Sequence, residues 1–212
     1  MNPALAALLG GATCIALSPI FVRVSEAGPT ATAFWRVAIA VPVLWALHFR
    51  SRKTTRRYAG KWPLLLAAGF AFAGDLAFWH SSIQLTSVAN STLLANFASI
   101  FVTLAAWIFL GERPSVLFVA GLGAALAGVA LLVHTSLELL PTGLLGDALG
   151  VVTAMFYAGY ILAVKGLRDR GETTLHLMAA TSTITALFLF PVALASGEQM
   201  LPASAFGWWM LV

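Results

Sequence analysis

The chain has 212 residues, of which 60% are apolar and only 9% charged, with a mean hydropathy of +0.91. A soluble globular domain carries roughly 25% charged residues, so a water-facing exterior is excluded, together with disorder, a collagen-like repeat and, with Cys14 the single cysteine, a disulfide scaffold. Six of the twelve Lys and Arg residues behind the net charge of +4 fall in one run, Arg50, Arg52, Lys53, Arg56, Arg57 and Lys61, between two apolar stretches. This is a membrane-topology signal and not a nucleic-acid site.

A helix needs about 20 mostly apolar residues to cross a bilayer. On that measure the chain predicts spans over Ala4–Val22, Ala31–Phe49, Trp62–Ile83, Val88–Leu110, Val116–His134, Gly143–Val164 and Leu175–Ala195. An eighth opens at Ala205 and the chain stops at Val212, so the sequence reads as a truncated copy of something longer. The first span lacks a basic start and is too long for a signal peptide. Connectors are short and punctuated by Gly and Pro, as in Gly28-Pro29, Gly111-Glu112-Arg113-Pro114 and Leu140-Pro141-Thr142-Gly143.

Placing the basic run in the cytoplasm puts the amino terminus inside. Arg113, Lys165, Arg168 and Arg170 then fall on the same face, so ten of the twelve basic residues lie inside. A bacterial cytoplasmic (inner) membrane is the expected location, with the lipid bilayer as the principal partner.

Sliding the chain on itself by 140 residues sets Gly10 on Gly150, Leu9 on Leu149 and Thr13 on Thr153. An offset of five spans inserts the second copy upside down, the inverted-repeat plan of many secondary transporters. The expected domains are a first five-helix repeat over 1–140 and a second, truncated one over 141–212.

Leu110-Gly111-Glu112-Arg113-Pro114-Ser115, followed by Gly121 and Ala127-Gly128-Val129, resembles the "LGER" signature of the EamA-type carriers of the drug/metabolite transporter superfamily. Phe34-Trp35-Arg36-Val37-Ala38-Ile39-Ala40 is similar to that family's second helix, and Ala154-Met155-Phe156-Tyr157-Ala158 to its sixth. The chain departs from the family at Ser99, where many members carry a helix-kinking proline. The resemblance implies an all-α integral membrane protein, a polytopic bundle of ten helices in two inverted halves around a central cavity. Here about seven spans and the start of an eighth are present. It also implies outward movement of small metabolites: amino acids (aromatic ones included), related metabolites or lipophilic cations.

Asp75 is the one carboxylate deep in a span, roughly 20 Å along the helix from Trp62 at 1.5 Å per residue. It reads either as a proton- or cation-binding site or as a structural partner of Arg36 at similar depth. Thr92, Asn96, Ser99 and Thr103 share one face of the fourth span, and Phe72, Asp75, Trp79 and Ser82 one face of the third. Thr153, Tyr157 and Tyr160 add a face of the sixth. Such faces serve as interhelical glue or line a shared polar-aromatic cavity. His80 is expected on a different face from Trp79, and Asp147 at the hydrated outer end of its helix. Glu112 and Arg113 are expected to hold the fold or gate its inner face, as is Arg36.

The expected substrate-binding residues are therefore Asp75, Trp79, Asn96 and Tyr157, with Phe72, Thr92, Ser99, Thr153 and Tyr160. The four histidines lie on different helices, so no metal site is expected, and no cofactor. Gly121, Ala124, Ala125 and Gly128 could support a homodimer as well as packing within the chain. The leading function is a secondary carrier of small metabolites working by alternating access. The alternatives are a structural or assembly membrane protein and an intramembrane enzyme. For the enzyme the chain offers neither Gly-x-Ser-x-Gly nor His-Glu-x-x-His.

Overall fold

The computed structural model describes residues 3–51, 61–111, 113–139 and 143–211. Among them every regular element is a helix: α1 Pro3–Arg23, α2 Pro29–Arg50, α3 Trp62–Leu85, α4 Val88–Ala95, α5 Ala98–Leu110, α6 Val116–Leu139, α7 Gly143–Asp169, α8 Thr174–Ala195 and α9 Ala205–Trp209. Continuous apolar sequence in lipid leaves a backbone no water to bond, so the helix is the structure that satisfies it internally. Among the described residues five segments are long and apolar enough to cross a membrane: Pro29–Arg50, Trp62–Leu85, Val88–Phe109, Gly143–Asp169 and Thr174–Ala195. The first and fifth expected spans are the shorter apolar stretches Leu8–Arg23 and Val116–Gly128 within α1 and α6.

Helix starts follow from local chemistry. Ser87, Thr173 and Ser204 each accept a backbone N–H three residues on with a side-chain oxygen, capping α4, α8 and α9. At the end of α5, Gly111 takes φ +71°, the left-handed conformation in which a helix closes on a glycine. That is the physical content of the first two letters of the Leu110-Gly111-Glu112-Arg113 motif. Glu112 lies outside the described residues, as does the basic run from Arg52 to Arg57.

The fourth expected span is broken into α4 and α5 at Asn96–Phe97, without a proline. Asn96 donates its side-chain amide to the Thr92 carbonyl at 2.9 Å, the same oxygen its backbone N–H uses at 3.2 Å. Ser99 donates to the Asn96 carbonyl at 3.0 Å and Thr103 to the Ser99 carbonyl at 2.9 Å. Side chains inserted into successive turns of the ladder are a recognised cause of helix breaks.

The centre of the bundle is α3, packed along α7 and against α8 and α2, while α2 also lies along α8. Leu65 and Ala68 of α3 meet Ala163 and Leu167 of α7 and Leu177 of α8 in one buried cluster, and Ala33, Ala73 and Leu189 form another. Small residues bring these backbones close, as expected where lipid supplies no hydrophobic drive. At Gly146 a Cβ would stand 2.7 Å from the Thr86 backbone nitrogen, so only glycine permits that crossing. By contrast α1 and α6 touch the bundle lightly. The glycines aligned by the internal repeat have unlike surroundings: Gly150 abuts Leu94, whereas a Cβ on Gly10 would meet nothing within 4 Å.

Candidate functional site

A cavity of about 320 Å³ lies between α1, α2, α3, α7 and α8. Ser18, Arg36, Phe72, Trp79, His80, Tyr160, Met178 and Ser182 line it, with Ala33, Val37, Ala40, Leu44 and Leu76 filling the walls. A larger depression of about 520 Å³ is lined by Pro42, Val43, Ala46, Leu47 and Arg50, all on α2 and all but Arg50 apolar, so it is a surface of a single helix. The polar cavity is the candidate site.

Three of the nine expected binding residues line it: Phe72, Trp79 and Tyr160. The Phe72 and Tyr160 rings stack at 4.7 Å across α3 and α7, and Tyr157 stacks on Tyr160 at 6.2 Å from a half-exposed position. Asp75 is buried on α3 but does not line the cavity, because it sits roughly 60° round the helix from Phe72 at 100° per residue. Its flank is shared with Ser82, which donates to the Gly146 carbonyl of α7 at 2.7 Å.

The alternative pairing of Asp75 with Arg36 is not formed. Among the described residues Arg36 has no ion pair, and its Nη2 donates to Ser18 of α1 at 2.7 Å. Arg36, expected as a structural or gate residue, is in the cavity wall.

Asn96 and Ser99 face a separate groove of about 300 Å³ between the α4–α5 break and α6, which Gly121 and Ala125 also line. Their side chains bond back to their own helix, as does the Thr103 hydroxyl. Thr92 and Thr153 are respectively half-buried and fully buried and lie outside the central cavity. Arg113 is exposed beyond α5.

Two expectations are corrected. His80 shares the cavity with Trp79, their rings 5.3 Å apart edge to face, since Leu76 and His80 form the other flank of the same face. Asp147 is buried, 3% exposed; it accepts from Thr86 Oγ1 at 2.7 Å and Asn90 Nδ2 at 3.4 Å because α7 reaches the α3–α4 turn there. Ser18, Met178 and Ser182 were missed by sequence reasoning, although Met178 and Ser182 lie four residues apart on one face of α8, with Ser182 in the polar Thr181-Ser182-Thr183 run, a spacing that could have found them.

Both ends of the bundle are tied by charge. At one end Glu198 accepts from the backbone of Thr30 and Ala31, and Glu26 from Ala203 and Ser204. Trp35 Nε1 donates to the Met200 carbonyl at 2.8 Å, and Arg23 to the carbonyls of Ile83 and Thr86. At the other end Lys61 pairs with Glu172, which also accepts from His176 Nδ1 at 2.7 Å. Burial opposes the charge of Glu172, but these two donors outweigh it and hold the carboxyl below the usual glutamate range. Among the described residues no three His, Cys, Asp or Glu side chains are grouped to hold a metal ion.

The fold is similar to that of a protein of known crystal structure, with a TM-score of 0.66 at 19% identity over 93% of this chain and 67% of that one. The sequence is 29% identical over 184 residues to an uncharacterized transporter of Archaeoglobus fulgidus, covering 84% of this chain and 62% of the relative. The chain thus spans about three fifths of the length of that curated relative. Residues 2–134, more than half of the chain, match the EamA-like transporter family, and with its several apolar helices the chain is a multi-pass membrane protein that belongs to that family.

Proposed function

We propose that the chain is a secondary carrier that moves small metabolites, amino acids and aromatic or amphipathic compounds among them, out of the cell by alternating access. The observation that carries this reading is the composition of the cavity wall: α1, α2 and α3 come from the expected first repeat, α7 and α8 from the second. A site held between two halves changes its exposure when the halves rock against each other. The hydrogen bonds of Glu26, Glu198 and Trp35 join the same two halves at one end of the cavity, and the Lys61–Glu172 pair joins them at the other. In a working cycle one set opens while the other holds. With the basic run placed in the cytoplasm of a bacterial cell, the Glu26–Glu198 end faces outward and the amino terminus lies inside.

The stacked Phe72–Tyr160 wall and the Trp79 indole suit a guest with an apolar or aromatic body. In reconstituted vesicles, counterflow of a labelled aromatic amino acid should be saturable, and Trp79→Ala should raise its half-saturation about fivefold, the factor that about 1 kcal/mol of lost contact represents. Counterflow that does not saturate, or that ignores Trp79, would overturn the reading.

A further inference from the structure

Three residues that line the cavity each carry a buried nitrogen with no hydrogen-bond partner among the described residues: Arg36 Nη1, Trp79 Nε1 and His80 Nε2. His80 is 1% exposed, so water does not serve it from outside. Its Nδ1 stands 2.7 Å from the Leu76 carbonyl, and since a carbonyl only accepts, Nδ1 carries the proton. In the neutral ring Nε2 is then an acceptor. Arg36 uses one terminal nitrogen on Ser18, and no carboxylate lies within 4 Å of it among the described residues. A buried guanidinium nitrogen with neither partner nor counter-charge and a buried indole N–H without an acceptor are both costly, and each is relieved by the same group.

We propose that this cluster recognises an organic carboxylate. Arg36 and Trp79 donate to the carboxylate, the apolar or aromatic body lies against Phe72 and Tyr160, and His80 accepts from an N–H or O–H beside the carboxylate. The proposal rests on the reading of this cavity as the transport site. One cation matches one negative charge. A phosphoryl dianion would leave charge uncompensated, and a lipophilic cation would add to the positive charge of Arg36. The planar fork of a guanidinium also suits a carboxylate geometrically. Arg36 is thereby the residue that sets the charge of the guest.

The test is equilibrium binding by calorimetry to the purified full chain in detergent, with phenylpropionate, phenethylamine and the uncharged phenylpropanol as probes. Phenylpropionate should bind at least about tenfold more tightly than phenethylamine, as expected for a hydrogen bond to a charged group. Arg36→Gln should abolish that ratio while phenylpropanol still binds, and Arg36→Lys should keep part of it. If Arg36→Gln does not fold, the wild-type ratio and Arg36→Lys decide. Equal or tighter binding of the amine, or a ratio unchanged in the Arg36 variants, would overturn the carboxylate site. The cavity reading would stand in that case, provided that Trp79→Ala still weakens the uncharged probe. Binding of none of the three probes would overturn both.

Discussion

Glu198 closes the start of α2 from 168 residues away, accepting from Thr30 N at 2.8 Å and Thr30 Oγ1 at 3.1 Å, with Ala31 N at 3.2 Å. The residue at the cap position of α2 is Gly28, which has no side chain to do this, so the carboxylate of a distant loop takes over the role. A Cβ on Gly28 would collide with the Glu198 side chain. The relation is reciprocal: Glu26, from the α1–α2 loop, accepts from Ala203 N and Ser204 N at the start of α9, and a Cβ on Gly207 would collide with it. Two loops far apart in sequence thus cap each other's following helix.

Glu198→Ala should lower stability by about 1 kcal/mol, the usual cost of a lost cap. Gly28→Ala should cost at least as much, because it displaces the same carboxylate. Thermal unfolding in detergent reads both, and Glu198→Gln, which keeps an acceptor oxygen, should fall between wild type and Glu198→Ala.

The Glu26 contact carries a pH dependence of defined sign. The hydroxyl and backbone N–H of Ser204, with the N–H of Ala203, hold the Glu26 carboxyl below its ordinary value of 4.5. A depressed folded value means the contact is fully present above 4.5 and is lost as the pH falls through the lower, folded value. Hydrogen exchange of the backbone amides of Ala203 and Ser204 should be constant from neutral pH down to about that ordinary value and, corrected for intrinsic rates, accelerate below it. Glu26→Gln should show the faster exchange already at neutral pH.

Lys61 and Glu172 pair across the opposite end, with side chains 8% and 2% exposed. Lys61→Met leaves a buried carboxylate whose remaining partner among the described residues is His176. It should cost about 1–3 kcal/mol, below the cost of breaking a pair deep in a core because this one sits at the bundle's end. Lys61→Met combined with Glu172→Leu should cost less than Lys61→Met alone, and thermal stability of the three variants measures the difference. The depressed Glu172 carboxyl implies that this stabilisation, present above the ordinary value of 4.5, is lost as acid carries the pH through the lower folded value.

Asp75 and Arg36 make no ion pair, so their removal should be additive. The stability change of Asp75→Asn with Arg36→Gln should equal the sum of the single changes to within about 0.5 kcal/mol. A coupling of more than about 1 kcal/mol between them would show a direct pairing that the structure lacks.

The spans and their order were legible in the sequence. The expected segments Trp62–Ile83 and Leu175–Ala195 differ from α3 and α8 by two residues and one residue at their ends. A helix in lipid must satisfy its backbone internally over a fixed thickness, so length and apolarity suffice to find it. The Leu110–Ser115 motif was likewise enough to name the family. The polar faces were harder. Periodicity put Thr92, Asn96, Ser99 and Thr103 on one face, but it does not distinguish a face that meets a guest from one whose side chains bond back to their own carbonyls.

That distinction belongs to tertiary structure, and the reason is physical. A soluble helix announces its buried side by contrast with water, whereas a membrane helix is apolar on every side and only its neighbours select a face. On α3 the residues from Phe72 to Ser82 present two adjoining flanks. Packing against α7 took the one with Asp75 and Ser82, and the cavity took the one with Leu76 and His80. The sequence by itself determined that Arg36 and Asp75 are charged residues within apolar spans. Only the packing of α1, α2, α3, α7 and α8 decided that they make no ion pair, with Arg36 in the cavity wall bonded to Ser18 and Asp75 outside that wall.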